Sequence, residues 1–225
     1  MTVDIIESVG GAAGVFVTGT ATITTSLLPT DRVVVVVAKG GTAGTPTVSG
    51  LGATWATDVS RATDFDVYVI SATGVTGGGV VSINGFSAAG DFEVYVLRSD
   101  VPVTPHSTAA AQNGASSQIA GTIITLGTVS APAGATVIAV GEVSGGTMAF
   151  PESTSTPATG WTTDRTGTNI NGRFIHQDIT ADTSVQLKVT SDIAFHAIIA
   201  AVVYYDDTVP TPPPATGFSG WGTPI

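Results

Sequence analysis

Short runs of β-branched and aromatic residues recur along this chain, each closed by Gly, Pro, Asp or Ser. That punctuation is typical of a sandwich or barrel rather than of alternating strands and helices. Strands are predicted over residues 21–28, 33–38, 65–71, 80–86, 92–98, 122–129, 136–143, 173–179, 184–190 and 195–205. Phe65-Asp66-Val67-Tyr68-Val69-Ile70 and Val185-Gln186-Leu187-Lys188-Val189 alternate, which predicts one buried and one wet face. Residues 33–37 are all valine, so a central strand covered on both faces is expected there.

The pattern is written twice. Asp31-Arg32 and the valines that follow parallel Gly134-Ala135-Thr136-Val137-Ile138-Ala139-Val140. Gly52-Ala53-Thr54-Trp55 parallels Ala158-Thr159-Gly160-Trp161, and each tryptophan is followed by a Thr, an Asp and soon an Arg (Arg61, Arg165). Residues 65–70 match 174–179, 80–84 match 185–189, and 92–98 match 197–204. The spacing stays near about 105 residues, as duplication of one unit gives. The expected fold is an all-β, jelly-roll-like β-sandwich over residues 1–207, formed from two Greek-key-like halves, repeat one at 21–100 and repeat two at 122–207. One sandwich is favoured over two small domains, because about five strands per copy make a marginal core. Residues 101–117, rich in Ala, Ser, Thr and Pro, read as a surface connection, and the N-terminal segment reads as unduplicated.

Composition narrows the function classes. Only 11% of the 225 residues are charged, against roughly 25% in ordinary soluble domains, so solubility rests on Thr, Ser and Gly. The net charge of −10 and seven scattered Lys and Arg residues argue against nucleic acid as a partner, since phosphate binding needs clustered cations. The absence of cysteine removes disulfides and thiolate metal sites. No basic segment followed by an apolar stretch marks the N-terminus as a signal peptide, and no apolar run approaches the roughly 20 residues of a membrane helix.

Candidate chemistry is sparse. His106, His176 and His196 show no metal-ligand spacing, and the latter two, in strands, are expected as surface or cross-strand residues. Asp64 and Asp66 share a strand face but lack the acidic loop of a calcium site and read as a solvated face. No G-x-S-x-G elbow is present, and Gly77-Gly78-Gly79 reads as a turn before a strand. No catalytic, cofactor-binding or metal residue is assigned, and an enzyme is not expected. Trp55 and Trp161, at matched positions, are weighed as paired core plugs against sugar-stacking platforms, with the core favoured. The chain ends in an extended Pro-rich tail, residues 208–225, in which Pro212, Pro213 and Pro214 carry Phe218, Trp221 and Ile225 on a tether. That tail is the candidate for docking onto another subunit.

With G-x-T-W at Gly52 to Trp55, G-W-T at Gly160 to Thr162, and a last strand closing on Tyr204-Tyr205, the two halves resemble a β-sandwich of tailed-phage virion proteins. The proline-tethered aromatic tail is similar to tails of minor tail proteins from actinobacteria-infecting phages. The resemblance implies a non-enzymatic virion component, made in the host cytoplasm and presenting loops to the host surface. Its implied partners are tail or capsid subunits and further copies of itself, with a host glycan as a further candidate. Capsid decoration and a carbohydrate-binding module are the alternative functions.

Overall fold

The computed structural model describes residues 2–14, 17–40, 44–62, 65–86, 88–112 and 119–206. Every regular element among them is a β-strand. Repeat one contributes β1 (Asp4–Ala13), β2 (Gly19–Ile23), β3 (Arg32–Gly40), β4 (Thr47–Gly50), β5 (Ala56–Ala62), β6 (Phe65–Thr73), β7 (Gly79–Asn84) and β8 (Gly90–Arg98). Repeat two contributes β9 (Val103–Gln112), β10 (Ile124–Thr125), β11 (Val129–Ala131), β12 (Thr136–Val143), β13 (Met148–Ala149), β14 (Thr162–Thr166), β15 (Asn171–Asp178), β16 (Thr183–Val185), β17 (Lys188–Ser191) and β18 (Ala197–Asp206).

The sheet orders show what was duplicated. Repeat one forms a five-stranded sheet, β1-β8-β3-β6-β5, and a three-stranded sheet, β2-β7-β4. Repeat two answers with β14-β15-β12-β18-β9, and with β10-β17-β13 and β11-β16 in place of the small sheet. All pairings are antiparallel. Each repeat therefore holds its own two-layer sandwich and core, compatible with a jelly roll, where strand counts favour one sandwich shared by the two halves. The repeat is longer than the sequence pattern suggests, because β1 and β9 occupy matched sheet edges and each pairs with the last strand of its own repeat. Two expectations change here. The N-terminal segment is part of the duplicated unit, and most of the presumed surface connection, residues 103–112, is an edge strand. Neither strand carries the strong apolar run that marks the central strands β3 and β12, since an edge strand has little to bury; Pro105 is tolerated in β9 because that edge needs no second donor.

Three apolar clusters stack through the molecule. One lies inside repeat one, around Ile23, Val35, Ile83, Phe86 and Phe92. Another lies inside repeat two, around Val137, Phe150, Leu187, Phe195 and Ile199. The third joins them, with Val34, Val36, Tyr95 and Leu97 of one large sheet packed on Ile138, Val140, Val202 and Tyr204 of the other. The body has four layers, so the large sheets are covered on both faces. This accounts for the unbroken burial of β12 and of Val33 to Ala38 and confirms the double-sided central strand read from the valine run. The wet face expected for residues 65–70 is not found. Tyr68 and Ile70 face the private core, Val67 and Val69 the shared one. Asp66 is buried beside Lys39, whose Nζ lies 2.7 Å from Asp66 Oδ2. The alternation of 185–189 does hold: Val185, Leu187 and Val189 are buried, and Gln186 and Lys188 are partly exposed.

The repeats pack much as a two-fold dimer would, and their first strands make matched contacts in both directions. Val3 N–H donates to Gly134 O (2.8 Å) and Val103 N–H to Thr30 O (3.4 Å). Thr136 Oγ1 reaches Val3 O (2.6 Å), while Arg32 Nη1 donates to Val103 O (3.0 Å).

Candidate functional site

The side chains with chemical potential gather where the two large sheets meet, beginning with a bulge in each repeat. The turn into β5 passes through Gly52 (φ 63°) and the turn into β14 through Gly160 (φ 92°), backbone values that favour glycine. A few residues on, both strands slip register against their neighbours, at Asp58 between Thr57 and Val59 and at Asp164 between Thr163 and Arg165. The extra residue of a bulge re-aims its side chain. Both aspartates are turned into the shared interface, where each accepts a hydrogen bond from a tyrosine of the other repeat. Tyr204 OH donates to Asp58 Oδ2 (2.6 Å) and Tyr95 OH to Asp164 Oδ2 (2.9 Å). Burial, with the adjoining carboxylate, lifts both phenols well above their usual range, so they remain donors.

Aligning the bulges sets Ser71 against His176, Arg32 against Thr136 and Ala38 against Glu142, so residues 65–70 answer 170–175 and not the 174–179 read from the sequence. At the first end Asp58 is closed in. Ser71 Oγ donates to it (2.5 Å), Arg32 Nη2 lies 3.5 Å from its other oxygen, and the guanidinium sits 5.8 Å from the centre of the Tyr204 ring. Arg32 Nε also donates to Ser71 Oγ (2.9 Å). Edge strand β9 lies against β5 and covers the group.

The second end is open. His176 Nδ1 is 2.7 and 2.9 Å from the two oxygens of Asp164; a carboxylate only accepts, so this nitrogen carries the proton. Burial disfavours the charged imidazole, but the Asp164 hydrogen bond and the charges of Asp164 and Asp178 outweigh it, and the His176 pKa is raised. A groove of about 380 Å³ separates residues 4–8 of β1 from Asp164, His176 and Asp178. A second hollow, about 500 Å³, continues it past Val3 and Gly134 to Ile179. His176 is thus half-buried and partnered across to the neighbouring strand β14, the cross-strand place rather than the surface one of the two expected. A His–Asp pair is also half of a general-base triad, yet Ser8, the hydroxyl in this groove, donates to Glu93 Oε1 (2.5 Å). The chemistry fits a static clasp.

Beside the clasps lies a buried charged group. Asp91 accepts from the backbone N–H groups of Thr168 (2.9 Å), Asn169 (2.8 Å) and Ile170 (3.0 Å) and from Arg165 Nη2 (3.2 Å), so the β14–β15 turn wraps a carboxylate of repeat one. Glu142 faces the same interface, 1% exposed, with Oε2 lacking a hydrogen-bond partner. Burial, together with Asp91 and Asp66, pushes its pKa up to about 8 despite Lys39.

The tryptophans stand just ahead of the bulges. Both are partly buried, Trp55 on the core of repeat one and Trp161 on that of repeat two. Trp161 Nε1 donates to Pro157 O (3.0 Å), whereas Trp55 Nε1 is buried without a partner. Pro212, Pro213, Pro214, Phe218, Trp221 and Ile225 lie outside the described residues, as does Asp64. Asp66 belongs to a buried ion pair, not to a solvated face. His106 is exposed beside the Tyr205 ring, 6.0 Å between centres, and His196 is partly buried. Among the described residues no three His, Asp or Glu side chains are grouped to hold a metal ion.

The sequence pattern did not single out Asp58, Asp164, Tyr95 or Arg32 as a group. The signal was present in the repeated Trp-x-Thr-Asp, whose aspartates are the bulge residues. Compared with known proteins, the chain matches no family model, no curated protein and no solved structure, so the site is read from its own residues.

Proposed function

We propose that this chain is a non-enzymatic structural protein of a phage particle, acting as a minor tail protein. The observation that carries the reading is where the polar chemistry sits. The tyrosine–aspartate clasps, the wrapped Asp91 and the paired Val3 and Val103 contacts all hold one repeat to the other. They make a rigid four-layer block, a shape suited to load-bearing assembly. The proline-tethered aromatics of the tail supply the docking element, and the resemblance to phage virion proteins supplies the setting.

Deleting residues 209–225 is expected to leave a folded, cooperatively unfolding body that no longer enters particles. Particle assembly with the truncated chain, read by immunoblot of purified virions, tests this. Normal incorporation would remove the tail from the docking role. Electron microscopy of particles carrying a bulky label on the chain separates a tail position from capsid decoration.

A further inference from the structure

The two ends of the inter-repeat interface are one construction altered at a few positions. At the closed end Arg32 fills the space beside Asp58, Ser71 and Val103 O. At the open end Thr136, itself fully buried, holds the matched register, His176 takes the two oxygens of Asp164, and a groove runs between residues 4–8 and Asp164, His176 and Asp178. Acceptors there exceed donors. The single Thr136 hydroxyl proton is shared between Val3 O (2.6 Å) and Asp178 Oδ1 (2.9 Å), while Asp4, Asp164 and Asp178 bring three carboxylates. One wall is also a strand edge. Residues 4–8 of β1, with a bulge between Ile5 and Glu7, line it together. Among the described residues that strand is paired in its sheet on one side only, with β8.

We propose that this groove docks an extended, arginine-bearing segment of another protein, its guanidinium meeting the carboxylates of Asp4 and Asp178 and its backbone adding to the edge of β1. Guanidinium suits the site better than ammonium, because its planar fork of N–H donors meets several acceptors together. A second copy of this chain is the poorer occupant. The chain carries −10 overall, and its Arg32, Lys39, Arg98 and Arg165 already pair with carboxylates. Docking by strand addition holds whichever particle, or none, the protein belongs to.

The test is a titration of the full chain, followed by amide NMR shifts, with a synthetic ten-residue peptide of alternating Thr and Val carrying two arginines. Peptides with lysine or glutamate in place of arginine are the controls. Saturable shifts are expected at residues 4–8, 164, 176 and 178, with weaker binding of the lysine peptide and none of the glutamate peptide. Asp178→Asn should weaken binding about ten-fold, roughly 1.4 kcal/mol, and Thr136→Arg, which installs the internal cation, should abolish it. Asp178→Asn is exposed and carries the test should Thr136→Arg not fold. Absent or non-saturable shifts, shifts elsewhere, equal binding of the glutamate peptide, or indifference to Asp178→Asn overturn the proposal. A concentration-dependent dimer in sedimentation, lost in Thr136→Arg, would put a second copy in the groove and overturn it as well.

Discussion

At one end of the interface between the repeats an arginine seals the joint, and at the other, where a threonine holds the matched register, a groove stays open. Three features are matched at the two ends: a bulge aspartate, a tyrosine from the opposite repeat, and a first strand whose opening valine reaches across. The closed end keeps Arg32 and Asp58 almost dry, with side chains 11% and 5% exposed. The open end answers the same aspartate with a histidine and leaves Asp178 exposed to solvent. Duplication supplied two equal joints, and divergence at a few positions made one a fastening and the other a surface.

Breaking the closed end has the largest expected effect. Arg32→Thr, which copies the open end, strips a buried carboxylate of its cation and should lower stability by about 3–5 kcal/mol in urea denaturation. A loss under about 1 kcal/mol would mean that Ser71 and Tyr204 suffice to hold Asp58.

The second contrast is Ala38 against Glu142, matched positions facing the shared core. The Glu142 pKa is raised from 4.5 to about 8 by burial and the nearby Asp91 and Asp66 charges. Between those values the native state holds a proton that the unfolded chain has released, so this residue's contribution to stability falls as pH rises across the window. Glu142→Gln keeps the shape and removes the charge. It should be close to wild type near pH 4.5 and more stable by about 1–4 kcal/mol at pH 9. A constant difference between the two curves from pH 4.5 to 9 would show that Glu142 does not titrate in this window.

The tyrosines sharpen the comparison further. Tyr204→Phe leaves Asp58 short of a donor in a dry site and should cost about 2 kcal/mol. Tyr95→Phe leaves Asp164 with both oxygens held by His176 and should cost about 1 kcal/mol. The reverse order, read from denaturation midpoints, would mean that the open end is the better sealed of the two.

The smallest effect belongs to the tryptophans. Trp161→Phe loses the bond to Pro157 O, while Trp55→Phe removes an N–H that has no partner, so the first should cost about 1 kcal/mol more than the second. Equal costs would show that packing alone fixes both rings.

Much of the fold was legible because burial on one or both faces leaves a periodic trace. The valine run of β3 announced a doubly covered strand, and the alternation of 185–189 announced a half-covered one. Edge strands β1 and β9 were illegible for the same reason, since partly exposed strands of Ser, Gly, Ala and Thr look like a terminus or a connection. The alternation of 65–70 misled because Asp66 is a buried charge whose partner, Lys39, lies on another strand. The candidate site was legible only as repeated letters, Trp-x-Thr-Asp, with no indication of what the aspartates face.

By itself the sequence determined the strand class, the duplication and which central strand is covered twice, since propensity and periodicity are local properties of the chain. Only the tertiary structure decided what does the covering. Which face of each large sheet meets its own small sheet and which meets the other repeat depends on pairings between residues far apart in the chain. So does the consequence that Arg32 closes one joint while a groove stays open beside the other, where Thr136 holds the matched register.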